Sequence, residues 1–109
     1  MAIILQVNFT PGPAQVAQSL DDRLESARNI AKLAGLAWKV WIQEHEGTTR
    51  GGIYLFETLA DARDWGDRLL RPRLAEGGAS DISIRYFEVN EAPSRITHAP
   101  LDHHAAVPA

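Results

Sequence analysis

The chain has 109 residues, 45% of them hydrophobic and 23% charged, and carries a net charge of −3. This is the size and balance of one soluble domain, which buries roughly 60% or more of its unfolded surface. The acidic balance and the lack of a basic run exclude nucleic acid as the main partner, and the absence of cysteine excludes disulfides and thiolate chemistry.

The opening MAIILQVNF has no basic flank and is interrupted by Gln6 and Asn8. It is too short and too polar for a signal peptide or membrane span, which implies a cytoplasmic protein with no membrane partner. Residues 2–9 read instead as a strand, apolar at Ile3, Leu5, Val7 and Phe9. TPGP turns the chain, and Pro13 suits the first turn of a helix. Ala17, Leu20, Leu24, Ala27, Ala31 and Ala34 then recur at spacings of three and four. They predict one amphipathic helix to about Leu33, ended by Gly35.

LAWKVWIQEH (36–45) is the second strand, EGTTRGG a hairpin loop and GIYLFE (52–57) the third strand. Thr58, with Asp61 three residues on, caps a second helix whose apolar side is Leu59, Ala62, Trp65, Leu69 and Leu70. Pro72 is expected to break or kink it. EGGAS ends the helical region, and DISIRYFEV (81–89) is the fourth strand. Residues 90–109, holding three prolines and three of the four histidines, are expected to form an extended or partly disordered tail. The order βαββαβ in one domain over 1–109 predicts an α+β, ferredoxin-like fold, a four-stranded antiparallel sheet with both helices on one face.

Alternation along each strand divides the residues between two faces, provided no bulge interrupts a strand. One set is almost wholly apolar and suits the helix side: Ile3, Leu5, Val7, Phe9, Leu36, Trp38, Val40, Ile42, Ile53, Leu55, Ile82, Ile84 and Tyr86. The other mixes rings with polar groups: Ile4, Gln6, Asn8, Ala37, Lys39, Trp41, Gln43, His45, Tyr54, Phe56, Ser83, Arg85, Phe87 and Val89. Two helices cannot cover both faces, and an open aromatic patch would be unusually large for a monomer. Its polar members disfavour a dry interface. The mixed face is therefore read as a cavity enclosed against a partner subunit.

GLAWKVWIQ, GGIYLF and YFEVNEAPS resemble the YdhR-like putative mono-oxygenases of the dimeric α/β-barrel superfamily, over nearly the whole chain from ILQVNF to NEAPSRI. The resemblance implies a homodimer with its two sheets face to face and a pocket in each protomer. It also implies kinship with cofactor-independent oxygenases acting on aromatic or quinol-like compounds, so no cofactor is expected. By the same likeness Asn8 and Trp41 are the candidate catalytic pair, Asn8 holding an oxygen of the ligand and Trp41 stacking on its ring. Against that stand a turn-capping role for Asn8 and a dimer-interface role for Trp41.

Gln6, Lys39, Tyr54, Phe56, Arg85 and Phe87 are the candidate substrate-binding residues, because they share the mixed face. Lys39 has the competing role of protecting an edge strand from unwanted pairing, and Arg85 that of a structural ion pair. Tyr54 is a possible proton donor, and His45 reads as a solvated strand end. His98, Asp102, His103 and His104 do not complete a metal site. A non-catalytic dimeric barrel that binds a small molecule is the alternative function.

Overall fold

β1 (Ile3–Thr10), β2 (Leu36–Gln43), β3 (Arg50–Phe56) and β4 (Ser80–Glu88) form one antiparallel sheet in the order β2-β3-β1-β4. The computed structural model describes residues 1–102. This is the α+β, ferredoxin-like arrangement that the element order predicts, with the first strand central and the second at an edge. The core joins Ile3, Leu5, Val7, Tyr54 and Phe56 of the sheet to Ile30, Ala62, Trp65 and Leu74 of the helices.

The first helical region is two pieces, α1 (Pro13–Ala17) and α2 (Leu20–Ile30), rather than the single helix expected. Ser19 divides them by capping α2. Its hydroxyl accepts from the Asp22 amide at 3.1 Å, and its own amide donates to the Asp22 carboxylate at 3.0 Å. Gly35, at φ +74, turns the chain into β2. The stripe expected to face the core does not: Leu20 is 62% exposed and Leu24 45%, and Ile30 is the one buried residue of α2.

Thr58 caps α3 (Leu59–Arg63) as expected, its hydroxyl accepting from the Asp61 amide at 3.1 Å. A π-helical segment (Asp64–Leu70) and α4 (Arg71–Glu76) follow without a break, so the chain stays helical through Pro72. The Arg71 amide reaches back five residues to the Gly66 carbonyl. The wider turn ends where Pro72 occupies the first turn of α4, a place in which a missing N–H costs little.

The tail also departs from expectation. Glu91–Ile96 form α5, and the following residues return to the sheet, where the Trp38 indole N–H donates to the Pro100 carbonyl at 2.8 Å. His103 and His104 lie outside the described residues. No described helix is long and apolar enough to cross a membrane, and no three His, Asp or Glu side chains among the described residues gather as a metal site.

Candidate functional site

Register decides which residues share a face, because directly paired residues project to the same side. Leu5 pairs with Tyr54 and Val7 with Gly52, which places Tyr54 and Gly52 on the helix side with the β1 core residues. Tyr54 pairs in turn with Lys39, and Gly52 with Trp41. Lys39, Trp41 and Tyr54 therefore share the helix side of the sheet, Tyr54 buried and Trp41, on the edge strand, 46% exposed.

On the opposite, open face Gln6 pairs with Ile53 and Arg85, Asn8 with Gly51 and Ser83, and Phe87 with Ile4. The eight candidate residues thus do not form one face. Gln6, Asn8, Arg85 and Phe87 are on the open side, while Lys39, Trp41, Tyr54 and Phe56 are on the helix side. Trp38, expected under the helices, is on the open side, and so are Val40, Ile42, Ile53 and Leu55. Two causes act. The β2–β3 register shifts between Leu36 and Trp38, so Leu36 stays with the core while Trp38 flips away. β3 is a central strand apolar on both faces, so alternation cannot say which side belongs to the helices.

The helix side is hollow toward the β2 edge. A cavity of about 680 Å³ lies there, within the range of small-molecule sites. Val7, Gly52, Tyr54, Lys39 and Trp41 line it from the sheet; Ile30 and Leu33 from the α2 side; Trp65 and Leu69 from the π-helical segment. On the α2 side Arg23, Ser26 and Asn29 also line it, while Leu20 and Leu24 are exposed. Gly52 keeps the floor low: a Cβ there would stand 2.6 Å from Lys39 Cε and 3.1 Å from Tyr54 Cε1.

Lys39 Nζ sits 3.3 Å from the Trp41 ring centroid and 4.8 Å from that of Tyr54. Burial pushes its ammonium from the usual 10.5 down to about 7. No carboxylate pairs with it among the described residues. Tyr54 is 1% exposed, and burial pushes its phenol up to about 12. The nearby Trp65 indole opposes that rise, yet its Nε1 has no partner in hydrogen-bonding geometry. Three arginines complete the lining. Arg50 donates to the Gln15 carbonyl at 3.2 Å, Arg73 stacks over the Trp65 ring at 5.7 Å, and Arg23 reaches in from α2.

Phe56 is buried in the core beside Ile3 and does not line the cavity. On the open face Gln6 Nε2 donates to Asn8 Oδ1 at 3.0 Å, so the two amides satisfy each other in part. Arg85 lies 5.0 Å from the Phe87 ring, with no ion pair among the described residues. His45 is exposed past the end of β2. Sequence reasoning missed Trp65, which reads as ordinary helix core, and the three arginines, to which it gives no role. The one available signal was Arg50 beside Gly51 and Gly52, where small residues admit a neighbouring side chain.

Three comparisons place the chain among known proteins. No curated protein matches it. Its fold is similar to the crystal structure of a putative antibiotic biosynthesis monooxygenase from Deinococcus radiodurans, with a TM-score of 0.62 over 83% of this chain and 94% of that one. At 14% identity the likeness concerns the fold alone. Residues 4–100 match the family described as putative mono-oxygenase ydhR, which covers nearly all of the sheet-and-helix body built above. The chain belongs to the ydhR family of putative mono-oxygenases.

Proposed function

We propose that the protein is a mono-oxygenase that holds a flat, quinol-like aromatic in the cavity between sheet and helices and oxidises it with O2 without a bound cofactor. The carrying observation is that cavity, walled by Trp41, Tyr54 and Trp65 with Lys39 unpaired among them. The rings supply stacking surfaces, and the cation favours an electron-rich, ionised oxygen on the ligand. Such a ligand provides its own electrons. A quinol-like ligand whose ring carbon para to one hydroxyl carries hydrogen reacts with O2 to give a hydroxy-para-quinone and water, one oxygen atom kept and the other released. The family assignment supports the reaction class.

The open face supports a homodimer. Val40 is 51% and Phe87 38% exposed there, beside Ile4, Ile42 and Ile53, an apolar surface suited to a second copy. On this reading Gln6, Asn8, Arg85 and Phe87 serve the subunit contact. Sedimentation should give a dimer at micromolar concentration and Val40→Lys should shift it toward monomer; a wild-type monomer would remove this part.

Oxygen uptake with a panel of hydroxynaphthalenes and dihydroxybenzenes tests the catalytic reading. Trp41→Phe should slow turnover about tenfold, the scale of one lost stacking contact, and Asn8→Ala should not. Uptake should survive a metal chelator and gain nothing from added flavin. A panel without protein-dependent uptake sinks the reading. Binding without uptake would favour the non-catalytic alternative.

A further inference from the structure

We propose that the ligand of this cavity is an aromatic anion whose carboxylate, or comparably acidic oxygen, pairs with Lys39 Nζ between the Trp41 and Tyr54 rings. The inference rests on the cavity being the site described under the proposed function and adds the charge of what enters it.

The charge of the lining carries it. Arg23, Lys39, Arg50 and Arg73 line the cavity, and among the described residues no Asp, Glu or His does, although the whole chain has a net charge of −3. A one-signed cavity in a protein of the opposite sign concentrates oppositely charged ligands. Arg23 and Arg73 are exposed and Arg50 half-buried, so they stand where the lining meets solvent, while Lys39 lies between two rings.

Lys39, half-buried, also lacks the partner that a cation drawn out of water normally has. A charge taken from water without a partner is expensive, and its contacts here are two ring faces. A carboxylate brought in on a flat aromatic supplies the missing charge-assisted bond while its ring stacks on the same walls. A neutral aromatic would leave the ammonium unpaired or drive off its proton. Gly52 reinforces the point, since its missing side chain is what lets the Lys39 stem lie across the floor.

A proton should follow the anion. Burial holds Lys39 near 7, so above neutral pH the empty cavity contains a neutral amine. Pairing with a carboxylate raises that value and draws a proton from solvent. The titratable and charged neighbours facing the cavity are Tyr54 and Arg50 from β3, Arg23 from α2 and Arg73 from α4. Tyr54 stays protonated, being held at about 12, and the three arginines add to the preference for an anion.

Titration calorimetry with 2-naphthoate and its methyl ester, in two buffers of different ionisation enthalpy, tests this on the whole chain. The wild type should bind the carboxylate at least ~10-fold tighter than the ester, the scale of one charge-assisted hydrogen bond. It should take up close to one proton on binding at about pH 8.5 and much less at about pH 6. Lys39→Met, a near-isostere that removes a buried charge, should keep the fold and lose both the preference and the proton uptake. Equal affinity for the two probes, no binding of naphthoate, or preference and uptake that persist in Lys39→Met would overturn the inference. Charge-selective binding without oxygen uptake would remove the mono-oxygenase reading alone. Turnover of neutral quinols with no charge preference would remove this inference alone.

Discussion

Replacing Lys39 by Met should stabilise the protein, and by an amount that depends on pH. The fall of the Lys39 ammonium from 10.5 to about 7 corresponds to roughly 5 kcal/mol against the charged form, at about 1.4 kcal/mol per pH unit. That figure is a ceiling. Lys39 is only half-buried, so solvent screening removes about 1 kcal/mol, and its two ring contacts return about 1–2 kcal/mol together, which leaves a net cost of about 2–3 kcal/mol.

Below about pH 7 both the folded and unfolded chains carry the proton, so the cost is present in full. Between about 7 and 10.5 the unfolded chain holds the proton and the folded chain does not, so wild-type stability climbs with pH across that window. Lys39→Met should therefore gain about 2 kcal/mol near pH 6, or roughly 10 °C in Tm for a chain of this size, and less than about 1 kcal/mol near pH 10. Urea denaturation of both proteins at a series of pH values measures this. An equal gain at both ends of the range, or a variant less stable near pH 6, would refute the placement of Lys39.

Three other substitutions and one titration probe the same architecture. Gly52→Ala puts a Cβ 2.6 Å from Lys39 Cε; the flexible stem should move aside, so naphthoate affinity should drop about tenfold with little change in Tm. Gly66→Ala would ordinarily help a helix, but its Cβ would meet the Tyr86 hydroxyl at 2.5 Å, so a loss of about 1–3 kcal/mol is expected. The Tyr86 hydroxyl is buried beside Asp67 without a bond of good geometry, so Tyr86→Phe should cost nothing alone and restore most of the Gly66→Ala loss on thermal denaturation. The two tyrosines, both pushed up to about 12 by burial first, should ionise together in an alkaline absorbance titration well above the ordinary 10. Because the fold holds those protons more tightly than the unfolded chain, stability should fall as pH rises from about 10 through 12. A midpoint at the ordinary value would show that neither ring is packed as described.

Much of the fold is legible in the residues. Strand positions follow from alternation, Thr58 announces its helix, and the order βαββαβ leads to the sheet observed. β1 and β4 are assigned to the correct faces because each has one apolar and one polar side. β2 and β3 are not. Ile53 and Leu55 look as suitable for a core as Tyr54 and Phe56, and one extra residue at Ala37 inverts β2. A shift of one residue exchanges every side chain between faces, so the largest error in reading the site has the smallest structural cause. The α1–α2 break was available in Ser19 and Asp22, whose spacing is that of a capping box. The orientation of α2 was not, since an apolar stripe states that a helix has two sides without stating what each side meets. Lys39, Trp41 and Tyr54 come together by register as the sequence suggests, but around a cavity beneath the helices. Asn8, their expected companion, is on the far side of the sheet.

The three tryptophans make the location of the site measurable in one experiment. Trp41 and Trp65 line the cavity, whereas Trp38 lies on the open face with its indole N–H bonded to Pro100. In a 15N-labelled sample titrated with 2-naphthoate, the indole signals of Trp41 and Trp65 should move and that of Trp38 should hold still. Movement of Trp38 with the other two unchanged would place the ligand on the open face and contradict the account.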